Sequence, residues 1–186
     1  ARATFARQGI DATRISEITE QADVGFGSFY NYFDSKDAIV AAVTEEATRA
    51  IGAAIDEATA SVDDPAEVVS LAHRTLLRAA AADPEFGWLL VRLEVTHDLT
   101  SAALGTYAAR DLRRGIKRGR FFVDDPAIAL AQTGGALLAV VRVVLKGAEA
   151  ENAASHHAAG VLRLLGVPPG EATAIASKSL PQIDVG

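Results

Sequence analysis

Apolar residues recur along this chain three and four positions apart, in runs broken by glycine and by Asp-Pro pairs, a pattern that predicts helices throughout. Short helices come first. Residues Ala1 to Gln8 carry Phe5 and stop at Gly9, where a left-handed cap suits glycine. Thr13 is placed to cap a second helix, Arg14 to Gln21, that lines up Ile15, Ile18 and Ala22. The interruption Ala22-Asp23-Val24-Gly25 leads into a third, carrying Phe29 and Phe33 on the same small core.

Longer helices follow. Ser35 or Asp34 caps a fourth whose stripe runs from Ile39 through Val43, Ile51 and Ile55 to Ala58, long enough to join two domains. Asp64-Pro65, Asp83-Pro84 and Asp125-Pro126 each pair a capping carboxylate with a proline whose missing N–H costs nothing at a helix start. Asp64 and Glu67 have capping-box spacing. Helices are expected over Pro65 to Ala82, Pro84 to Thr96, Ser101 to Arg118, Pro126 to Lys146 and Glu149 to Leu165, with a short one after Pro169. The expected fold is all-α, with residues 1–45 as a three-helix helix-turn-helix and 46–186 as a larger helical domain.

Composition narrows the function. With 49% of 186 residues apolar, the chain can bury a real core. A net charge of −6 argues against a protein that coats nucleic acid, since non-specific affinity comes mostly from Lys and Arg on phosphates, yet it leaves room for a local DNA-facing surface. The absence of cysteine removes disulfides, thiolate nucleophiles and cysteine-ligated zinc. No signal peptide opens the chain, and apolar stretches such as Ala136 to Leu145 are too short and interrupted to span a bilayer, so a soluble, cytoplasmic protein is expected. The chain opens inside a helical pattern and contains no Met, and residues upstream of Ala1 are expected.

The segment Thr13 to Lys36, TRISEITEQADVGFGSFYNYFDSK, carries the chemistry. It resembles the TetR family of bacterial transcriptional regulators, with its Ile-Ala-Glu-x-Ala-Gly-Val core, Gly-[Ser/Thr]-[Leu/Phe]-Tyr recognition helix and Tyr/His-Phe-x-[Ser/Asn]-Lys exit. Ile18, Glu20, Ala22, Val24, Gly27, Ser28, Phe29, Tyr30, Tyr32, Phe33, Ser35 and Lys36 stand at matching positions. Asp23 replaces the usual turn glycine, and Gly25-Phe26 stand where Ser-Lys is frequent, which removes one phosphate-seeking lysine.

A recognition helix needs small residues where its backbone nears DNA and longer ones to reach bases. Gly25, Gly27 and Ser28 are small, and Phe26 is positioned to press on a thymine methyl in the major groove. Tyr30 and Tyr32, beside Asn31, offer hydroxyls to phosphates; Lys36 adds charge at a helix start, and Thr13 offers its hydroxyl. Phe29 and Phe33 read as core, and Thr13 and Ser35 serve as caps with or without DNA.

The resemblance further implies a C-terminal domain that binds a small-molecule effector and forms a homodimer through its last two long helices, here near 126–146 and 149–165. Gly134, Gly135, Ala136 and Ala139 permit close helix approach. A twofold dimer presents two reading heads to a palindromic double-stranded operator. Expected pocket residues are His73, Phe86, Trp88, Leu89, Arg92, Leu93, His97, Tyr107, Phe121 and Arg142, an apolar set with a few polar anchors. Arg142, inside an apolar helix, needs a partner or a ligand carboxylate.

Other chemistries have less to stand on. Glu94 with His97, and Asn152 with His156, share helix faces but offer an ion only two ligands each. No catalytic triad context, phosphate loop or dinucleotide fingerprint occurs, so neither a cofactor, a metal nor an enzymatic activity is expected. The basic run from Arg110 to Arg120 is accounted for as favourable charge at a helix C-terminus. The leading reading is a ligand-responsive regulator, most simply a repressor released by its effector. The alternative from another class is a helical small-molecule carrier or enzyme whose helix-turn-helix no longer binds DNA.

Overall fold

The computed structural model describes residues 1–93 and 103–181; for residues 92, 93 and 103 it describes the backbone only. Ten helices are described: α1 (Arg2–Gln8), α2 (Ile15–Gln21), α3 (Phe26–Phe29), α4 (Lys36–Thr59), α5 (Pro65–Ala82), α6 (Pro84–Leu93), α7 (Ala103–Lys117), α8 (Pro126–Leu145), α9 (Ala150–Leu164) and α10 (Pro169–Ala176). The described residues contain no strand.

Local chemistry sets most boundaries. Ser35 Oγ accepts from the Ala38 amide, Asp64 from Ala66, Asp83 from Phe86, and Asp125 from Ala127 and Ile128, so the caps anticipated at Ser35 and at the three Asp-Pro pairs form. Two details differ. Glu67 does not close a box with Asp64 but pairs with Lys178, beyond α10. The α2 start is secured by Glu17, whose carboxylate accepts from the Arg14 amide at 2.7 Å, rather than by Thr13.

The small core of α1 to α4 is built on Phe5, Ile10, Ile18, Phe29, Ile39, Val40 and Val43, and one residue of α6, Leu89, is buried within it. On the surface, Arg2 of α1 lies 2.9 Å from Asp83, close to Glu85 and over the Phe86 ring. These pairs are about half exposed and contribute little energy, so apolar burial at Leu89 is the stronger tie between α6 and the N-terminal helices.

Further cores hold the larger domain. Ile51, Ile55, Leu76, Phe86, Leu90 and Leu138 join α4, α5, α6 and α8. Leu77, Ala80, Val91, Val141, Val144 and Ala154 knit α5, α6, α8 and α9, while Leu112, Phe121, Val161, Leu162, Leu165 and Ile175 knit α7, α9 and α10. Gly115 is required there: a Cβ would sit 2.0 Å from the Phe121 ring. Arg120 reaches Asp64 with two nitrogens at 2.8 and 3.0 Å and Glu171 at 2.8 Å, and this guanidinium holds the Asp64 carboxyl below the usual carboxylate range. By length and composition α8 is apolar enough to cross a membrane, but one face packs on α5, α6 and α9. On its other side Ile128 and Val143 stay more than half exposed.

Candidate functional site

Two sites emerge, one on the surface of α3 and one inside the larger domain. Around α3, Val24, Phe26, Tyr30 and Tyr32 are exposed, Tyr32 to 81%. Apolar and aromatic side chains presented to solvent this way need a reason, and a groove of bases and sugars supplies one. Phe26 and Tyr30 meet edge to face with ring centres 5.7 Å apart, and Tyr30 leans on buried Phe29 at 5.3 Å, so the outward rings are braced by the core. Gly25, Gly27 and Asn31 are also exposed, Ser28 is half-buried, and nothing crowds Gly27.

Lys36 is half-buried, with Nζ donating to the Asp11 carbonyl at 3.3 Å, close enough to the surface to turn to a phosphate. Thr13 is a correction. It is 2% exposed and its hydroxyl donates to the Gly9 carbonyl at 2.6 Å, so it neither caps α2 nor presents itself to DNA. The turn between α2 and α3 carries Asp23 at φ +53°, the left-handed conformation for which glycine is the natural choice.

The second site is a cavity of about 320 Å³ walled by α4, α5, α6, α7 and α8. Most of the wall is apolar: Ile55, Leu76, Leu90, Leu104, Leu112, Leu130 and Leu138. Gly134 and Gly135, expected at a dimer contact, line it too. One polar end is made by Asp56, Arg110 and Asp111. Arg110 Nη2 is 2.6 Å from Asp56, and both Nε and Nη2 donate to Asp111 Oδ1, at 3.0 and 2.9 Å, which leaves Asp111 Oδ2 as the open acceptor. Burial raises the Asp111 pKa, an effect that Arg110 partly offsets; its two carboxylate partners stabilise the Arg110 cation in turn. Arg110 also lies 5.3 Å over the Tyr107 ring. Thr48 and Thr133 line the cavity, but their hydroxyls donate to the Thr44 and Ala129 carbonyls.

A second polar element is His73, on the cavity wall and joined through Nδ1 to His157 Nε2 of α9 at 2.9 Å. Burial, with a smaller contribution from His157, pushes His73 down to about 3, and burial pushes His157 down to about 4, so both imidazoles are neutral at pH 7.

Of the expected pocket residues the structure brings His73 and Tyr107 to this cavity. Phe86, Leu89 and Phe121 are instead buried in packed cores, Trp88 packs half-buried against the α5–α6–α8–α9 core, and Arg142 is half-buried on α8 away from the cavity wall. These five are corrected accordingly: for the four apolar residues periodicity marked a buried position without saying which neighbour it meets, and the charge of Arg142 is not turned to the cavity. His97 and the side chains of Arg92 and Leu93 lie outside the described residues. Sequence reasoning missed Asp56 and the Arg110-Asp111 pair. The available signal was an acid beside the apolar stripe of α4 and adjacent opposite charges one turn after Tyr107.

Residues 1–43 match the family described as bacterial regulatory proteins, tetR family, and residues 64–178 match the tetracyclin repressor-like C-terminal domain. The chain belongs to the TetR family. A structure of RolR in complex with the ligand resorcinol is 37% identical, covering 98% of this chain and 92% of that one, with a TM-score of 0.82. RolR without ligand superposes with a TM-score of 0.80, at the same identity. The regulator FadR from Bacillus subtilis, in complex with stearoyl-CoA, is 19% identical over 89% of this chain and 93% of that one, with a TM-score of 0.68, a likeness of fold. Among curated proteins no match is found. As a TetR-family member the chain is a ligand-responsive, DNA-binding transcriptional regulator, and the carrier or enzyme alternative is not favoured.

Proposed function

We propose that this regulator is a homodimeric repressor that leaves a palindromic operator when a small, neutral, hydroxylated aromatic compound fills the cavity. The observation that carries the reading is the chemistry of that cavity: leucine walls around one Asp-Arg-Asp cluster. Two carboxylates against one guanidinium repel an anionic ligand, and Asp111 Oδ2 is placed to accept from a hydroxyl. Leucine-lined walls suit an apolar ring, and about 320 Å³ is near the small end of the roughly 300–1,000 Å³ of small-molecule sites. Resorcinol, the ligand in the RolR complex, belongs to this class.

Phe26, Tyr30 and Tyr32, with Gly25, Gly27, Ser28, Asn31 and Lys36 around them, form the DNA-reading surface of each protomer. The dimer forms through the uncovered side of α8 and through α9, where Ile128, Val143 and Leu164 are exposed and apolar. Selection of bound sequences from random duplex DNA at physiological salt tests the reading. A palindromic consensus is the expected result; a folded dimer that enriches no sequence overturns it.

A further inference from the structure

We propose that His73 is a specificity-determining residue of the effector site, binding a second hydroxyl of the ligand through Nε2 and thereby reporting occupancy to α9 through His157. The inference rests on the effector reading above and deepens it: the Asp56–Arg110–Asp111 cluster holds one hydroxyl, and His73 tells a dihydroxylated ring from a monohydroxylated one.

The geometry leaves His73 one role open. It lies on the cavity wall, and its Nδ1 is taken by His157 Nε2 at 2.9 Å, so Nε2 is the ring's remaining hydrogen-bonding atom. His73 is only partly buried, and it is one of the residues that line the cavity. Among the described residues that nitrogen has no hydrogen-bond partner, and it is not one of the sealed, unpartnered polar atoms, so a ligand hydroxyl can reach it. Because the imidazole is neutral, it offers a hydrogen bond and not a charge, which again selects a neutral ligand.

His157 sets how the bond is shared. Its ring is 8% exposed, on the face of α9 that meets α5. Between two neutral imidazoles joined Nδ1 to Nε2, one nitrogen donates and the other accepts. If His73 donates from Nδ1, its Nε2 is an acceptor; if His157 donates, His73 Nε2 carries the proton. A ligand hydroxyl serves either arrangement, since it both donates and accepts. When the hydroxyl donates, His73 carries its proton on Nδ1 and is the donor to His157; the His73 Nε2 proton is then given up to solvent and His157 Nδ1 takes one up from solvent, so the pair stays neutral. A donating ligand hydroxyl thus favours the tautomer in which His73 donates toward α9, the helix of the proposed dimer contact.

Calorimetric titration of the dimer with resorcinol and with phenol tests this, in the wild type and in His73→Phe and His73→Gln. The wild type is expected to bind resorcinol roughly threefold to tenfold more tightly than phenol, the factor that a net hydrogen bond of about 0.5–1.5 kcal/mol supplies. His73→Phe removes the difference, and His73→Gln, which keeps a hydrogen-bonding group, restores part of it. As a second readout, the ¹⁵N signals of His73 and His157 in the wild type move with resorcinol and not with phenol, which decides the matter even where His73→Phe fails to fold. A preference for resorcinol that survives in His73→Phe, or a wild type that binds both compounds equally, overturns the role of His73 and leaves the effector reading standing. A wild type that binds neither compound overturns both.

Discussion

Leu89 and Leu90 are neighbours in α6 and belong to different cores. Leu89, fully buried, completes the apolar cluster of the N-terminal helices, whereas Leu90, 2% exposed, lines the cavity. A helix turns by about 100° per residue, so any rotation or slide of α6 that accommodates a ligand at Leu90 is felt at Leu89. The sequence pattern points to α4 as the transmitter, and α4 does contribute to both regions through Val43 and Ile55. The Leu89–Leu90 pair gives α6 a second, shorter connection.

Leu89→Ala opens a hole between α6 and the DNA-binding helices. It is expected to lower stability by about 2–5 kcal/mol in urea denaturation. On the proposed effector reading, resorcinol is still expected to bind with a smaller effect on DNA affinity, because the mutation spares the cavity wall and removes a contact that links the two regions. A variant whose DNA response to resorcinol is undiminished would place the link elsewhere.

The histidine pair gives stability an acid dependence. In the folded chain His73 titrates at about 3 and His157 at about 4, both below the ordinary 6.5. As pH falls through 6.5 the unfolded chain takes up protons that the folded chain refuses, so the contribution of the pair is full above 6.5 and declines steadily toward 4 and 3. Asp111, with its raised pKa, acts in the opposite sense, gaining stability as pH falls. Between pH 7 and 5 the urea midpoint of the wild type is expected to drop more steeply than that of a His73→Phe/His157→Leu double variant. Equal slopes would show that the two rings are not buried as neutral groups.

At the turn before α3, Asp23 occupies φ +53° in place of the glycine usual in this family. A left-handed conformation costs an ordinary L-residue about 1–2 kcal/mol, less for aspartate, and glycine returns part of the gain as chain entropy. Asp23→Gly is therefore expected to raise stability by about 0.5–1 kcal/mol, read as a higher urea midpoint. Because Asp23 is exposed beside the DNA-facing rings, removing its charge also strengthens DNA binding at low salt. A destabilised Asp23→Gly would mean that the carboxylate holds the turn.

On the proposed DNA-reading surface, the exposed rings of the α3 region are expected to divide into positioning and reading roles. Tyr32→Phe removes a phosphate-seeking hydroxyl and is expected to weaken all duplexes to a similar extent, severalfold. Phe26→Lys, in contrast, changes which sequences are selected from a random pool. An unaltered consensus for Phe26→Lys would assign that ring to packing on Tyr30.

Much of the fold is legible in the sequence because the signals for helix ends are local. The Asp-Pro starts, Ser35 and Gly9 each act within a few residues, and the structure places helix ends close to them. Thr13 was the misleading case: two capping residues compete at that turn, and Glu17 satisfies the amide while Thr13 is drawn inward to Gly9. The cavity was far less legible. In α6 the run Phe86 to Val91 is apolar all round, so periodicity cannot say whether Leu89 or Leu90 faces the cavity. The polar end depends on Asp56 meeting Arg110 from another helix, a pairing that no local spacing encodes.

The cavity and the DNA-reading surface are proposed to be linked, and fluorescence anisotropy of the selected operator with increasing resorcinol, at physiological salt, measures that linkage directly. Operator affinity is expected to fall between about fivefold and 150-fold as resorcinol saturates, the usual range of coupling between two sites. Resorcinol that binds the protein in calorimetry yet leaves operator affinity unchanged would contradict the account.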